Sequence, residues 1–324
     1  MIAPAGPLLY FRAVDRRALT VMETFHSLFY APHSVALHRG DFADEGLDVT
    51  VQTAGGGRTT VTALLDGSVD ISLGGIMRSL ALADGDGRRL PHFAEVNSRN
   101  GFFLLGRPPR EPFAWSELEG KEVISFAEAP TPWQSMLTVL RREGVDPARV
   151  RITRDLPVAE AVAAFRAGRG DFLEQGQPVT EQLLADGSAV LVASMGEATG
   201  PVPFSSYMTT PAFLDEERPV LERFVRALYR AQRWMAGVTA REVASLIAPA
   251  FPDIEPGIRE RAVDRYLRQG TWARDPLIRR PGYEYLQRIL LDGGFIRRSH
   301  AYEHLIDTTV AEAAMAAVDR PAQR

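Results

Sequence analysis

The chain has 324 residues, of which 45% are hydrophobic and 24% charged, and its formal net charge is −4 at pH 7. This composition is ordinary for a globular protein of one or two domains and lacks the basic excess that marks nucleic-acid binding. The chain contains no cysteine, which excludes disulfides, thiolate metal sites and a cysteine nucleophile.

Residues 1–17 are predicted to be an N-terminal extension. Their apolar run, Leu8 to Phe11, is broken at once by Arg12 and Asp15. A secretory signal needs a basic start followed by roughly 7–15 apolar residues. We therefore expect no signal peptide in this stretch. No segment of the sequence approaches the roughly 20 apolar residues of a membrane span.

The segment after this extension alternates predicted strands and helices. Three segments are predicted strands: 18–25, 47–53 and 69–75. Helical spacing continues from Ser27 to Gly46, a glycine placed where a helix ends, and residues 55–67 supply a turn and a second helix. This alternation is typical of an α/β unit with a parallel sheet.

The same order of elements returns about a hundred residues later. Strands are predicted at 120–126, within 145–155 and at 170–176, with helices at 131–144 and 156–168. Two corners match in register: 45–48 (EGLD) with 143–146 (EGVD), and 67–71 (GSVDI) with 168–172 (GRGDF). We expect two similar α/β lobes. The alternative is chance, because helix-to-strand corners often carry glycine and aspartate.

The pattern changes after residue 200. A strand and a turn precede four helical runs, and the tail from Asp307 is an amphipathic helix that fades into a polar end. Phe224, Leu228 and Trp234 are predicted to pack in the core. The C-terminal part is therefore expected to be helical.

Candidate ligand contacts lie where the predicted strands end, because an open parallel sheet binds its ligand at that edge. Two glycine clusters, Gly55 to Gly57 and Gly74-Gly75, would let the backbone approach a ligand closely. Tight turns alone are the alternative explanation. Neither cluster has the spacing of a nucleotide-binding motif.

The sequence offers little for catalysis or metal binding. His300 and His304 are four residues apart, but no third ligand lies at a motif spacing. No nucleophile-elbow motif is present, and Lys121 is the only lysine. An acid–base role for Glu23, Glu128 and Glu174 across a cleft cannot be read from spacing. We predict no metal, no cofactor and no catalytic residue.

Four stretches together resemble the type II periplasmic binding proteins, and more closely the branch that binds alkanesulfonates, nitrate, taurine and thiamine-pyrimidine precursors. They are residues 31–57, 63–75, 116–150 and 163–187. Each motif alone is weak, but their order and spacing are specific, and the match covers residues 18–235 well.

The resemblance implies a fold and a division of the chain. The fold is α/β with two lobes, each a mainly parallel sheet flanked by helices, and a helical C-terminal part. Lobe I would comprise 18–104 plus 206–324 and lobe II 105–205, with the two crossings near 102–109 and 202–208. The two lobes would close on a ligand like a hinged clamp.

The resemblance also carries over the pocket positions. The predicted ligand-binding residues are Glu23, His26, Tyr30, Gly55, Gly56, Gly57, Arg58, Gly75, Ile76, Met77, Asn97, Thr131, Trp133, Glu174, Gln177 and Tyr207. For Tyr30, His26 and Trp133, packing in the interior is the alternative. Arg58, Arg78 and Arg99 would favour an anion if they face the cleft.

The function implied is that of a solute-binding protein of an ABC-type importer, a monomer without catalysis of its own. Its partners would be a small polar or planar ligand, anionic or pyrimidine-like, and an ABC permease if the chain is exported. The family implies the periplasm. Since no signal peptide is expected in this sequence, either its start is truncated or, as the alternative, the protein works in the cytoplasm. The alternative is a cytoplasmic enzyme resembling dihydroxyphthalate decarboxylase, or a ligand sensor. Related desulfinase and pyrimidine-synthase activities would need a cysteine nucleophile or a lysine in lobe I, which this chain lacks.

Overall fold

The structure is a computed structural model that describes residues 16–55, 59–108 and 112–320. Its strands form two five-stranded sheets. The strands are β1 Arg17–Glu23, β2 Leu47–Thr53, β3 Ile71–Gly74, β4 His92–Asn97, β5 Phe103–Gly106, β6 Glu122–Ile124, β7 Arg151–Thr153, β8 Phe172–Gln175, β9 Val190–Ser194 and β10 Ser205–Met208.

Helices flank both sheets and make up most of the described chain after β10. The α-helices are α1 Ala31–Arg39, α2 Asp41–Asp44, α3 Thr60–Leu65, α4 Met77–Asp86, α5 Thr131–Arg142, α6 Val158–Arg166, α7 Val179–Ala185, α8 Met195–Thr199, α9 Pro211–Glu216, α10 Arg218–Met235, α11 Ala240–Leu246, α12 Pro256–Gln269, α13 Arg280–Asp292, α14 Tyr302–Leu305 and α15 Thr309–Asp319. Short 3-10 turns cover Leu28–Tyr30, Trp115–Leu118, Pro147–Arg149 and Ala248–Ala250.

The two sheets have matching topologies. The first has the order β2-β1-β3-β10-β4 and the second β7-β6-β8-β5-β9. In each sheet four strands run in one direction, and the fourth strand of the order, β10 or β5, runs against its neighbours. The predicted fold class, two lobes with mainly parallel sheets and a helical C-terminal part, is confirmed.

The chain passes from the first sheet to the second between β4 and β5 and returns between β9 and β10. The segments predicted as crossings, 102–109 and 202–208, contain β5 and β10. The lobe limits at residues 104 and 205 and the separate status of residues 1–17 stay predictions. Residues 1–15 lie outside the described residues.

One predicted element is corrected by the structure. The helical spacing from Ser27 to Gly46 predicts a single helix, but a 3-10 turn, α1 and α2 occupy this segment. Gly40 ends α1 with a φ of 81°, in the left-handed region that glycine adopts most readily. The backbone direction therefore changes there although the apolar spacing continues.

The two corners that matched in the sequence make the same contact in the two lobes. The Asp70 N–H donates to the Thr20 carbonyl (3.0 Å), and the Asp70 carboxylate accepts the Thr20 N–H (2.7 Å). Asp171 makes the same pair of bonds with the Glu122 backbone, at 2.8 and 2.9 Å. Each aspartate thus fixes the start of β3 or β8 against the neighbouring strand of its sheet, β1 or β6.

We expect Asp70→Ala to lower the free energy of unfolding by about 1–2 kcal/mol, because the variant leaves the half-buried Thr20 N–H without its acceptor. Asp70→Asn keeps a carbonyl oxygen at that position and is expected to lose less. Urea unfolding of the two variants measures the difference. Equal losses in both would show that the hydrogen bond is not what stabilises the corner.

Candidate functional site

A pocket of about 190 Å³ opens where strands of both sheets end. The first lobe supplies the residues after β1, the second lobe the residues after β6 and β8, and helix α12 supplies one tyrosine. The lining residues are Phe25, His26, Ser27, Phe29, Phe102, Phe126, Glu128, Val158, Gln175, Gly176, Gln177, Pro178, Val179 and Tyr266. Of the predicted site residues, His26 and Gln177 are in this lining.

Aromatic rings form most of the pocket wall. Phe25 lies two residues after β1 and Phe126 two residues after β6, so they hold corresponding positions in the two lobes. Their ring centroids are 5.9 Å apart in an edge-to-face arrangement. Phe102, in the crossing segment, lies 4.8 Å from Phe126, and Phe29 lies 6.0 Å from Tyr266. Such rings favour a flat, apolar guest that stacks or packs edge-on.

His26 is held at the pocket by two acceptors. Its Nδ1 is 2.8 Å from the Glu23 carboxylate and its Nε2 is 2.7 Å from the Ala250 carbonyl, and its ring stacks on Phe251. Burial by itself lowers the pKa of His26, but the Ala250 and Glu23 acceptors more than offset this and raise it. Burial raises the pKa of Glu23. Since a carbonyl only accepts, Nε2 carries a proton, and one further proton is shared between Nδ1 and Glu23.

Helix α12 ties the C-terminal part of the chain to the second lobe at the pocket. The Tyr266 hydroxyl accepts the Gln177 backbone N–H at 3.1 Å. The buried carboxylate of Glu181, on α7, pairs with Arg265, lies 3.7 Å from Arg261, and is 3.5 Å from the Gln177 side-chain amide. The position of Gln177 in the pocket wall thus depends on an ion pair that joins α12 to α7.

A second, wider cleft of about 690 Å³ lies at the ends of β6 and β7 and shares Glu128 with the pocket. Trp133, a predicted contact, lines this cleft. The Arg154 guanidinium lies 4.1 Å above the Trp133 ring. Trp133 is therefore placed beside the pocket, in the more open and more polar cleft.

Glu174 is fully buried on β8 beneath the pocket edge. Its Oε2 accepts a hydrogen bond from Ser125, and its Oε1 has no partner among the described residues. Burial raises the pKa of Glu174 to about 7. The carboxyl group is therefore protonated in much of the native protein near neutral pH.

The two glycine clusters lie in different surroundings, the first at an exposed position and the second against neighbouring chain segments. Gly55 is exposed, and Gly56, Gly57 and Arg58 lie outside the described residues. Gly74 and Gly75 do not adopt a positive φ, so turn geometry does not require glycine there. A Cβ on Gly74 would lie 2.6 Å from the Thr24 hydroxyl oxygen, and one on Gly75 would lie 3.1 Å from the Met77 sulfur. Close packing of neighbouring chain segments explains these two glycines.

Several predicted contacts are buried outside the pocket lining. Ile76 and Met77 pack in the main hydrophobic core, and Thr131 is buried at the start of α5. Asn97 donates from Nδ2 to the Phe29 carbonyl (2.8 Å). Tyr207 contacts His33, and Tyr30 stacks on Phe25, with burial raising the pKa of Tyr30 to about 12. Tyr30 and Asn97 thus support pocket residues from behind.

Sequence reasoning missed most of the aromatic wall. The stretch TFHSLFY after β1 carries a signal, since aromatic residues cluster where a strand ends, but only His26 and Tyr30 of this stretch are among the predicted contacts. Phe126 is the last residue of the predicted strand 120–126, just as Phe25 is the last residue of the predicted strand 18–25. Tyr266 gave no signal, because it lies on a C-terminal helix far from the pocket in sequence.

Within the described ranges, no three histidine or acidic side chains are placed to hold a metal ion. His300 instead lies 3.6 Å from Asp84, and its ring stacks on His304. No helix in those ranges combines the length and the apolar character that crossing a bilayer needs.

Residues 29–238 match the family described as NMT1/THI5-like. A Bacillus subtilis (strain 168) protein, YtlA, provisionally named a binding protein, is 32% identical over 294 residues, which cover 90% of this chain and 88% of YtlA.

Two solved structures share the fold at lower identity. The periplasmic aliphatic sulphonate-binding protein SsuA of Escherichia coli has a TM-score of 0.70 at 16% identity, over 87% of this chain and 94% of SsuA. The desulfurization enzyme DSZB has a TM-score of 0.66 at 17% identity, over 93% of this chain and 99% of DSZB. One fold therefore carries both a binding protein and an enzyme.

We expect Glu174→Gln to make the stability of the protein less dependent on pH. The folded-state pKa of Glu174, about 7, lies above its ordinary 4.5, so its contribution is full below pH 4.5 and is lost as pH rises toward 7. Between pH 5 and pH 8 the wild type should lose roughly 2–3 kcal/mol more than the variant. Urea unfolding at the two pH values measures this.

Glu160→Gln, at an exposed position on α6, is the control and should follow the wild type. A Glu174→Gln variant that loses stability with pH as steeply as the wild type would show that this carboxyl group does not titrate in the native state.

Proposed function

This chain belongs to the NMT1/THI5-like family, and from that premise we propose that it is the substrate-binding component of an ABC-type importer, closing its two lobes on one small planar ligand. The observation that carries the proposal is the aromatic pocket lined by both lobes. A guest there would contact residues following β1, β6 and β8 at once, so that binding would favour closure.

The size of the pocket limits the guest. Its volume is about 190 Å³, and an apolar cavity of about 150 Å³ is enough to hold benzene. The pocket therefore suits one six-membered ring with one or two substituents. Larger fused-ring systems would have to extend into the neighbouring cleft.

The polar lining suits a ring that donates hydrogen bonds. Glu128 offers a carboxylate, and Gln175 and Gln177 offer amide groups that both accept and donate. The lining residues include no arginine or lysine. This lining therefore favours a pyrimidine-like ring over an aliphatic sulfonate, which has no ring.

Membership of the family also suggests the partners and the location. We propose an ABC permease as the protein partner, by way of the binding-protein family, and a location outside the cytoplasmic membrane, as for the periplasmic protein SsuA. The protein would act as a monomer, in which each lobe supplies one wall of the pocket.

Native mass spectrometry of freshly purified protein, followed by thermal-shift assays, tests the ligand class. A panel of pyrimidines, aromatic acids and alkanesulfonates is suitable. We expect a bound mass that fits a single-ring compound, and ring compounds that raise the melting temperature more than alkanesulfonates of equal charge. Alkanesulfonates that stabilise the protein more than every ring compound would contradict the proposal.

A catalytic role is the second candidate, and the His26–Glu23 pair is the observation that favours it. This pair could move a proton at the pocket wall, and an enzyme, DSZB, shares the fold. Both ring nitrogens of His26 are already engaged, by Glu23 and by Ala250, which supports binding instead. Release of carbon dioxide from an aromatic acid by the pure protein, abolished in His26→Gln, would establish the enzyme.

We expect Phe126→Leu to weaken binding of the strongest ring compound of the panel about 3- to 10-fold, because leucine keeps the apolar volume but removes the aromatic face. Isothermal titration calorimetry measures the dissociation constant. The control is Phe213→Leu, a half-buried phenylalanine on α9 that does not line the pocket. An unchanged affinity in Phe126→Leu would show that the ligand ring does not pack against Phe126.

A further inference from the structure

A cavity of about 300 Å³ lies among the C-terminal helices and shares only Tyr266 with the pocket between the lobes. The end of α10, helix α12 and residues 270–274 supply its lining, and we call it the helical cavity. Its volume is about twice the roughly 150 Å³ that is enough to hold benzene. The helical cavity is therefore large enough for a molecule of one or two rings.

Gln232, on α10, brings a buried hydrogen-bond acceptor without a partner to this lining. The residue is 2% exposed, and its Nε2 donates to the Glu95 carbonyl at 2.9 Å. Because a carbonyl only accepts, this bond fixes the orientation of the amide, and Oε1 is the atom that has no partner among the described residues. A buried acceptor in that state costs free energy, so a donor from a bound molecule would be stabilising.

Two other buried glutamines show what a complete set of bonds looks like. Gln269 accepts the Ser194 hydroxyl at 2.6 Å and donates to the Asn100 carbonyl at 2.7 Å. Gln287, on α13, accepts the His300 N–H at 2.7 Å and donates to the His300 carbonyl at 3.0 Å. Gln287 lies outside the lining of the helical cavity, so it provides a matched control for Gln232.

The rest of the lining indicates the chemistry of a guest. Met235, Val238 and Leu267 supply aliphatic surface, and Trp272 supplies an aromatic ring. The one charged residue of the described lining, Arg274, is exposed, so water solvates its guanidinium and the guest needs no charge to match it. These walls and the Gln232 oxygen together suit a neutral, apolar molecule with one N–H or O–H donor.

The helical cavity adjoins both segments that cross between the lobes. The Thr271 carbonyl accepts the N–H of Ser98, which directly follows β4, at 2.9 Å. Gln269 accepts the hydroxyl of Ser194, the last residue of β9, at 2.6 Å. Residues 269–271 therefore contact the chain where it leaves the first sheet and where it starts to return.

Two aromatic rings connect the helical cavity to the pocket. Tyr266 and Trp272 lie edge to face, with ring centroids 5.4 Å apart. The Tyr266 hydroxyl accepts the Gln177 N–H at 3.1 Å, and Trp272 Nε1 donates to the Phe29 carbonyl at 3.0 Å. Gln177 and Phe29 both line the pocket. A guest that shifted either ring would therefore change the pocket wall.

We propose that the helical cavity is a second small-molecule site, separate from the pocket between the lobes. It binds a neutral, apolar molecule of one or two rings, which donates one N–H or O–H to Gln232 Oε1. Its occupation changes the affinity of the pocket through Tyr266 and Trp272. Binding in the helical cavity does not depend on the proposed function, whereas the effect on the pocket rests on it.

Isothermal titration calorimetry with indole and benzofuran tests the site, because the two molecules share a shape and only indole has an N–H donor. We expect the wild type to bind indole about 3- to 10-fold more tightly than benzofuran, since one buried hydrogen bond distinguishes them. Gln232→Met keeps the length of the side chain and removes the acceptor, so this variant should bind both probes with nearly equal affinity. The control, Gln287→Met, should keep the preference of the wild type.

Ala236→Phe is a second variant, which leaves Gln232 in place. Ala236 is exposed at the end of α10 and lines the helical cavity, so a phenyl ring there should obstruct it and weaken binding of both probes. A preference for indole that persists in Gln232→Met would overturn the proposal. Equal weakening of both probes in Gln232→Met, or no binding of either probe to the wild type, would do the same.

The effect on the pocket has its own measurement. The dissociation constant of the strongest ring compound of the panel is determined with and without saturating indole. We expect at least a twofold change in the wild type and none in Ala236→Phe. No change in the wild type would reject the coupling, and a change that persists in Ala236→Phe would show that indole competes for the pocket itself. If no panel compound binds, the proposed function fails, while the comparison of indole with benzofuran still decides whether the helical cavity is a site.

Discussion

The meeting of strand ends from two sheets over one crevice is the constraint on which the rest of this structure depends. Parallel strands end at the same edge of a sheet, and each sheet here presents that edge to the pocket. Phe25 lies two residues beyond β1 and Phe126 two residues beyond β6, so corresponding positions in the two lobes supply both aromatic walls. Asp70 bonds the start of β3 to β1, and Asp171 bonds the start of β8 to β6. These bonds fix the relative positions of strands whose ends lie at the pocket.

Several ionisable side chains near this crevice lack a full set of counter-ions and hydrogen-bond partners. Glu23 shares its proton with His26, and Glu174 has one buried oxygen without a partner among the described residues. The Arg78 Nε has no hydrogen-bond partner among the described residues. Glu45, by contrast, pairs with Arg226, and Arg259 donates to backbone carbonyls. Perturbed and unpaired ionisable groups concentrate where binding or chemistry occurs, because a ligand can complete them.

The C-terminal helices do more than cover the first sheet. Helix α12 contributes Tyr266 to the pocket and reaches α7 of the second lobe through Arg265 and Glu181. The Tyr266 hydroxyl and the Glu181 carboxylate both hold Gln177, which faces the pocket. A ligand that moved Gln177 would therefore change the contacts between the lobes, which is the kind of differential interaction that a closing movement needs.

The sequence by itself determined two similar α/β lobes and the order of the strands up to β3 and from β6 to β8, because glycine stops, alternating strands and a repeated corner are local patterns. Strands β4 and β9 are not among the predicted elements. It also predicted His26 and Gln177 as ligand contacts, because both follow predicted strands directly, and both line the pocket. It predicted one helix where Gly40 divides two, because apolar spacing does not report backbone direction. Only the tertiary structure decided that Tyr266 reaches the pocket, that Ile76 and Met77 turn into the core, and that the Gln232 side-chain oxygen has no described partner. Those outcomes depend on which distant segments pack together, and one sequence carries no local signal for that.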